Sequence, residues 1–209
     1  DTNDVLELAN MGYGYFNVEE ILGGSTGLPV KAANDANVAA LGEQWQGGGM
    51  GYSSMVLVTL GTGVGGGIII NNKVVAGSKG AAGEIGHIHL NDEETGTCGC
   101  GRHGCLEQYA SATGIVRMAN KLLKETDEAS ALRDLSDISA KTIFDYAKKG
   151  DALALRVVDE ACDYLGSACG HISQVVDPEA YVIGGGVSKA GDILTETIKN
   201  HYNKYVMKT

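Results

Sequence analysis

Apolar residues along the chain follow two rhythms. Unbroken short runs mark strands: Met55–Leu60 (MVLVTL), 68–70, 74–76 and 180–183, the first and last reading as buried. Residues 29–33 (PVKAA) also read as a strand. Stripes spaced by three and four mark helices. The longest, Ala152–Val176, lines up Val158, Ala161, Cys162, Leu165, Cys169, Ile172 and Val176, with Asp151 as its cap and Asp177-Pro178 as its stop. That stripe makes Cys162 and Cys169 core residues and leaves His171 an ordinary helix histidine. Shorter helices are expected over 17–27, 36–45, 108–125, 140–149 and 190–205, with a linker at 127–137. From His87 to Leu90 the pattern alternates, which puts His87 and His89 on one face of a predicted strand.

Composition narrows the picture. A chain of 209 residues with 44% apolar content suits one large domain, or one and a half small ones, with a sizeable core. The 31 glycines exceed the usual share of about 7% and sit in clusters beside apolar runs, which predicts tight turns and phosphate loops rather than disorder. A formal net charge of −10 disfavours nucleic acid as a partner. No apolar run approaches the roughly 18 residues of a membrane span, and no secretory leader is visible. Five cysteines, an odd number with three clustered, fit a reducing compartment, so a cytoplasmic protein is expected.

The clustered thiols lie in residues 83–107, GEIGHIHLNDEETGTCGCGRHGCLE. Cys98, Cys100 and Cys105, with Gly99, Gly101 and Gly104 between them, can converge on one metal ion, because glycine backbone reaches the conformations such a loop needs. Clustering weighs that reading above three unrelated thiols, although the spacing is not the common two-residue-gap knuckle. An imidazole completes the set. His87 and His89 are the candidates, and spacing does not choose between them; His103, inside the loop, is a weaker third.

Other chemistry is less explicit. Met55–Leu60 runs through Gly61-Thr62-Gly63-Val64-Gly65-Gly66-Gly67 into 68–70, a strand, glycine turn and strand. The turn lacks the Lys-Ser/Thr ending of a Walker loop and opens no helix, so a dinucleotide site is not expected. What remains is a hairpin whose amides could hold phosphate oxygens, weighed equally against a hairpin with no ligand. Asn71-Asn72-Lys73 reads as the next turn. Asp35 stands at a strand-to-helix junction; its residue type alone favours a helix cap over a catalytic carboxylate. Glu107 opens the helix that follows the thiol loop, either as a site residue or as a solvated first-turn glutamate. Gly184-Gly185-Gly186 follows the strand 180–183 and is weak by itself.

Taken together, GEIGHIH at 83–89, CGCGRHGCLEQYAS at 98–111 and NDANVAALGE at 34–43 resemble the signature of the ROK family of sugar kinases and repressors, most closely its bacterial glucokinases. The resemblance covers nearly the whole chain. It implies an α/β fold of the ribonuclease H-like, actin-type ATPase/hexokinase kind, with a mixed twisted sheet flanked by helices. Residues 34–209 would be the larger C-terminal domain, with a zinc-binding loop at 87–105, and residues 1–33 the tail of the smaller N-terminal domain. The family's opening Asp-x-Gly-Gly-Thr phosphate loop does not occur in these residues, and its closing strand and helix would follow Thr209. A fragment, inactive alone, is therefore expected.

The resemblance also implies roles. A structural zinc would be held by His87, Cys98, Cys100 and Cys105; the family has one residue fewer between this histidine and the first cysteine, an insertion placed in 91–97. Asp35 would be the catalytic base. Asn34, Glu84, His87 and Glu107 would contact the sugar together with Asp35. Thr62 and Gly63 would lie nearest the phosphates of Mg-ATP, and Gly184, Gly185 and Gly186 would approach the adenosine. The expected reaction moves the γ-phosphate of ATP to the 6-hydroxyl of glucose, a glycolytic step, in a homo-oligomer, expected to be a dimer, that binds neither nucleic acid nor membrane. Two rivals stand beside it: a ROK transcriptional repressor with an added helix-turn-helix, and a zinc-stabilised interaction module.

Overall fold

The computed structural model describes residues 4–5 and 16–207; the remaining parts of the two expected domains lie outside the described residues. A short antiparallel pair, β1 (Asp4–Val5) with β2 (Phe16–Asn17), precedes a helical segment made of Glu19–Gly23 and α1 (Gly24–Thr26), which Gly27 ends at φ 68°. Residues 29–33 are not a strand. Extended sequence preference makes a strand only where a neighbour supplies its ladder, and no described strand pairs with this segment.

The element that follows carries the first candidate residue. α2 (Asp35–Gln46) begins where the Asn34 side chain accepts the Asn37 amide, so Asn34, not Asp35, is the N-cap. β3 (Met55–Leu60), β4 (Val64–Ile70) and β5 (Lys73–Val74) form an antiparallel meander, with Leu60 opposite Val64 and Met55 opposite Ile69. Gly65, Gly66 and Gly67 therefore belong to a strand rather than to the turn. Asn71 and Asn72 turn the chain with φ 50° and 62°, which asparagine tolerates better than most residues. β5 stops at Val74, short of the expected 76.

Five helices stack on the other side. α3 (Glu107–Ala110) and α4 (Ala112–Glu125) stand where one helix was expected. Ser111 breaks it at ψ 161°, and its hydroxyl caps α4 by accepting the Gly114 amide. α5 (Ala140–Lys148) and α6 (Ala152–Val176) follow, the latter starting at the Asp151 cap and ending at left-handed Asp177. At 25 residues, α6 is about 37 Å long. β6 (Ala180–Gly184) then pairs parallel with β3, from Met55 opposite Ala180 to Thr59 opposite Gly184, and α7 (Asp192–Tyr205) packs back on α6. The parallel pairing across helices makes this a mixed α/β sheet, in the order β5-β4-β3-β6. As an edge strand β6 is half-buried, not buried as its apolar run suggested.

The two-residue period of β3 divides the core. Val56, Val58 and Leu60 face α3 to α7 and join a large cluster with Leu106, Ile115, Phe144, Leu153, Val157 and Leu165. Met55 and Leu57 face the other way and form a small cluster with Ala40 and Ile69, with Val74 and Val182 at its margin. α2 covers that smaller side by close approach to glycines: a Cβ at Gly67 would meet Ala40 Cβ at 2.5 Å and Ala36 O at 2.7 Å. Cys162 and Cys169 are buried as expected, at 1% and 2% exposure. No helix among the described residues is long and apolar enough to cross a membrane.

Candidate active site and metal centre

The thiol loop closes on itself before any ligand is considered. Isolated antiparallel bridges join His89 to Cys105 and Thr97 to His103. Inside them, the Cys98 amide donates to Arg102 O at 2.7 Å and the Gly101 amide to Cys98 O at 2.8 Å. Gly101 and Gly104 take φ of 81° and 69°, and a side chain on Gly104 would collide with Asn91 O. Cys98 and Cys105 end up buried, Cys100 exposed, and His87 half-buried.

The structure brings one of the three histidines to the thiols. Residues 87–90 are not a strand: Ile85–His87 is a 3₁₀ turn, so the two rings do not share a face. The turn is forced because Gly86 lies against β4, where a Cβ would collide with Val64 O. His87 Nδ1 comes to 3.7 Å from Cys98 Sγ, and Cys100 Sγ to 3.7 Å from Cys105 Sγ. The four donor atoms lie within 4.8 Å of one another. A tetrahedral ion with Zn–S bonds of about 2.3 Å spaces its sulfurs by about 3.8 Å, so this donor set fits zinc. His89 is engaged elsewhere, its Nδ1 2.8 Å from His103 O and its Nε2 2.7 Å from Asp92 Oδ1; the Asp92 bond raises its pKa. His103 Nδ1 lies 3.0 Å from Gly96 O. Hydrogen bonding with the Arg102 main chain draws the Cys100 thiol down to about 6, and burial pushes Cys105 up.

A polar brace missing from the sequence reading holds this loop to the helices. Arg117 of α4 donates to Glu94 Oε2 at 2.7 Å and to Gln108 O at 2.9 Å, and lies over the Tyr109 ring. The Tyr109 hydroxyl donates to the same Glu94 oxygen at 2.8 Å and accepts from Asn91 Nδ2 at 3.0 Å. Tyr109 stacks on Tyr164 of α6, centroids 3.9 Å apart. The Arg117 guanidinium, against the cost of burial, holds the Glu94 carboxyl down at about 2.

The glycine hairpin is anchored on one side. Ala112 N donates to Gly61 O at 2.8 Å and Thr113 Oγ1 to Thr62 O at 3.1 Å, both from the start of α4. Because trans peptides point N–H opposite to C=O, the amides of Thr62 and Gly63 face away from α4. On that hairpin two cavities meet at Gly61. One, about 530 Å³, is lined by Asp35, Ala36, Thr59, Gly63, Glu107 and Gly185. The other, about 440 Å³, lies among Thr62, Ala112, Phe144, Lys148, Gly186 and Val187. Gly185 takes φ 84°, and a Cβ there would lie 2.5 Å from Leu60 O, so the glycine turn after β6 seats directly on the end of β3.

Asp35 and Glu107, far apart in sequence, thus share one cleft with Gly63 and Gly185. Asn34 stands next to it as the α2 cap; Glu84 is exposed just before the 3₁₀ turn; His87 turns toward Cys98. None of these three lines that cleft. Glu107 is not a solvated helix residue: its Oε2 accepts the Val64 amide at 3.0 Å, while Oε1 lies 3.9 Å from Cys98 Sγ.

Comparison with known proteins fits this geometry. The profile of the ROK family matches residues 1–209. The chain belongs to the ROK family. To the glucokinase of Halalkalibacterium halodurans it is 46% identical over 210 residues, covering 99% of this chain and 64% of that protein. To the xylose repressor of Caldicellulosiruptor bescii it is 30% identical, covering 98% of this chain and 51% of the repressor. The crystal structure of a ROK family glucokinase from Streptomyces griseus, in complex with glucose and AMPPNP, superposes with a TM-score of 0.86 at 36% identity, over 100% of this chain and 69% of that one. The ROK chain described here therefore has the ribonuclease H-like, actin-type fold of that family's kinases, and it spans about two thirds of the length of its glucokinase relatives.

Proposed function

We propose that the intact protein is an ATP-dependent sugar kinase that phosphorylates the 6-hydroxyl of glucose. The observation that carries this reading is the pair of cavities meeting at Gly61, one holding two carboxylates and the other bordered by the glycine turn after β6. Phosphoryl transfer needs a base at the acceptor hydroxyl, donors around the phosphates, and a fixed line between them. In this reading Asp35 accepts the hydroxyl proton. Asn34, Glu84, His87 and Glu107 contact the sugar. The amides of Thr62 and Gly63 receive phosphate oxygens of Mg-ATP, and Gly184, Gly185 and Gly186 border the adenosine.

A structural zinc, held by His87, Cys98, Cys100 and Cys105, would crosslink the loop that carries Glu107; four protein ligands leave no open position for catalysis. Residues 34–209 act as the larger domain, with residues 1–33 the tail of the smaller one, in a homo-oligomer. Glucose is preferred over other hexoses because the relative at 46% identity is a glucokinase. The repressor relative keeps a second reading in view, in which the same fold senses a sugar instead of phosphorylating it.

The test is Asp35→Asn in the full-length protein. An amide keeps the shape but cannot take the proton, so kcat should fall on the order of 10²–10⁴ with glucose binding and Tm retained. A near-normal kcat, or losses that only track Tm, would return Asp35 to an ordinary first-turn residue. A wild-type protein with sugar-dependent DNA binding and no turnover would establish the repressor reading instead.

A further inference from the structure

Both arms of the metal cluster grip one residue of the glycine hairpin, one at its amide and the other at its carbonyl. Val64 opens β4 at the hairpin mouth. Its amide donates to Glu107 Oε2 at 3.0 Å, two residues after the ligand Cys105. Its carbonyl lies against Gly86, one residue before the ligand His87, so tightly that no side chain fits there. The other face of the grip is equally close: a side chain on Gly63 would collide with Glu107 Oε2. Leu106, fully buried, fixes the short span between Cys105 and Glu107, and the Gln108 side chain accepts the Cys105 amide at 3.1 Å.

We propose that Glu107 is a positioning residue for the phosphoryl donor: its carboxylate pins the Val64 amide and so sets the hairpin that presents the Thr62 and Gly63 amides to phosphate. The role goes beyond the sugar contact given to Glu107 above, and it assumes the kinase chemistry proposed there. Glu107 reaches into the same cleft as Asp35. One side chain therefore ties the acceptor side of the reaction to the donor side, and the metal loop holds the tie.

Three substitutions in the full-length protein separate this role from its rivals. Glu107→Ala removes the acceptor. Glu107→Asp keeps the charge but falls one methylene short of Val64. Glu107→Gln keeps the reach and a carbonyl acceptor. The Kd for Mg-AMPPNP, measured calorimetrically without sugar, should rise on the order of ten-fold in the Ala and Asp variants and stay within about two-fold in Gln. Bound zinc, by elemental analysis, should remain in all three, while the KM for glucose rises in each. Unchanged nucleotide affinity in Glu107→Ala would overturn the proposal and leave Glu107 a sugar contact only. Equal nucleotide losses in Ala and Gln, with zinc released, would overturn it in favour of general loosening of the loop. Hydrogen exchange at the Val64 amide reads the pin without nucleotide and should quicken in Ala and Asp but not in Gln. If the wild type neither binds AMPPNP nor turns over, the kinase reading fails, and the Val64 exchange pattern still decides whether the pin exists.

Discussion

Acid should weaken the chain through one carboxylate remote from the cleft. Glu94 is 12% exposed and paired with Arg117, which is 42% exposed. Their bond holds Glu94 at about 2, against an ordinary 4.5. Because the folded value is the lower one, the stabilisation is complete above the unfolded value near 4.5 and drains away as pH falls toward 2. At about 1.4 kcal/mol per pKa unit the shift has a ceiling of about 3 kcal/mol, and solvent around the half-exposed guanidinium reduces this to about 1–2 kcal/mol. The assay is urea unfolding of wild type and Glu94→Gln at pH 7 and near pH 3. Subtracting the two proteins at each pH removes acid effects common to both, including protonation of the thiols. The variant should be less stable at pH 7 by about 1–2 kcal/mol, and most of that gap should close near pH 3. A gap that is absent at neutral pH, or that persists unchanged in acid, would show that the Arg117 contact does not hold the Glu94 charge.

Other outcomes follow from the same contacts. Elemental analysis should find one zinc per chain, and Cys98→Ser or His87→Ala should release it and lower Tm; full metal retention in both would sink the assigned ligand set. On α6, Gly166 and Gly170 face α7, where added Cβ atoms would meet His201 Cβ at 2.7 Å and Tyr205 Cβ at 2.5 Å. Gly170→Ala should therefore cost about 1–3 kcal/mol by forcing the helices apart, measured by thermal unfolding; an unchanged Tm would show that α7 yields freely.

What was legible in the sequence were features that depend on near neighbours along the chain. Met55–Leu60 and Ala152–Val176 came out with their observed bounds because an unbroken apolar run and an Asp151 cap each carry their own signal. The thiol cluster was equally plain. What failed depended on a partner distant in sequence. The alternation at 87–90 imitates a strand, but Gly86 must lie flat against Val64, and the chain turns there instead. The helix expected over 108–125 breaks at Ser111, where Ala112 donates to Gly61 O at the end of β3. Residues 29–33 look like a strand, and no described strand pairs with them. The Glu94–Arg117 brace had no spacing to betray it. Its available signal was an acidic segment, 91–97, opposite a helix bearing one arginine within its first two turns. Asp35 and Glu107 were singled out by resemblance, and only the folded chain brings them to one cleft.

The glycines of β4 have a consequence for tolerance to change. Where α2 crosses the sheet, Ala36 O, Ala36 Cβ and Ala40 Cβ rest almost on the backbone of Gly65 and Gly67. Adjustable side chains, which shift by several tenths of an ångström when a core is repacked, are missing from this contact. The spacing between Asp35 and the hairpin is thus set by hard stops, one carbonyl and two alanine methyls of α2 against the main chain of β4. Drift among the large apolar residues under α4 to α7 can accumulate without altering that gauge, whereas a single methyl group added at Gly67 would reset it.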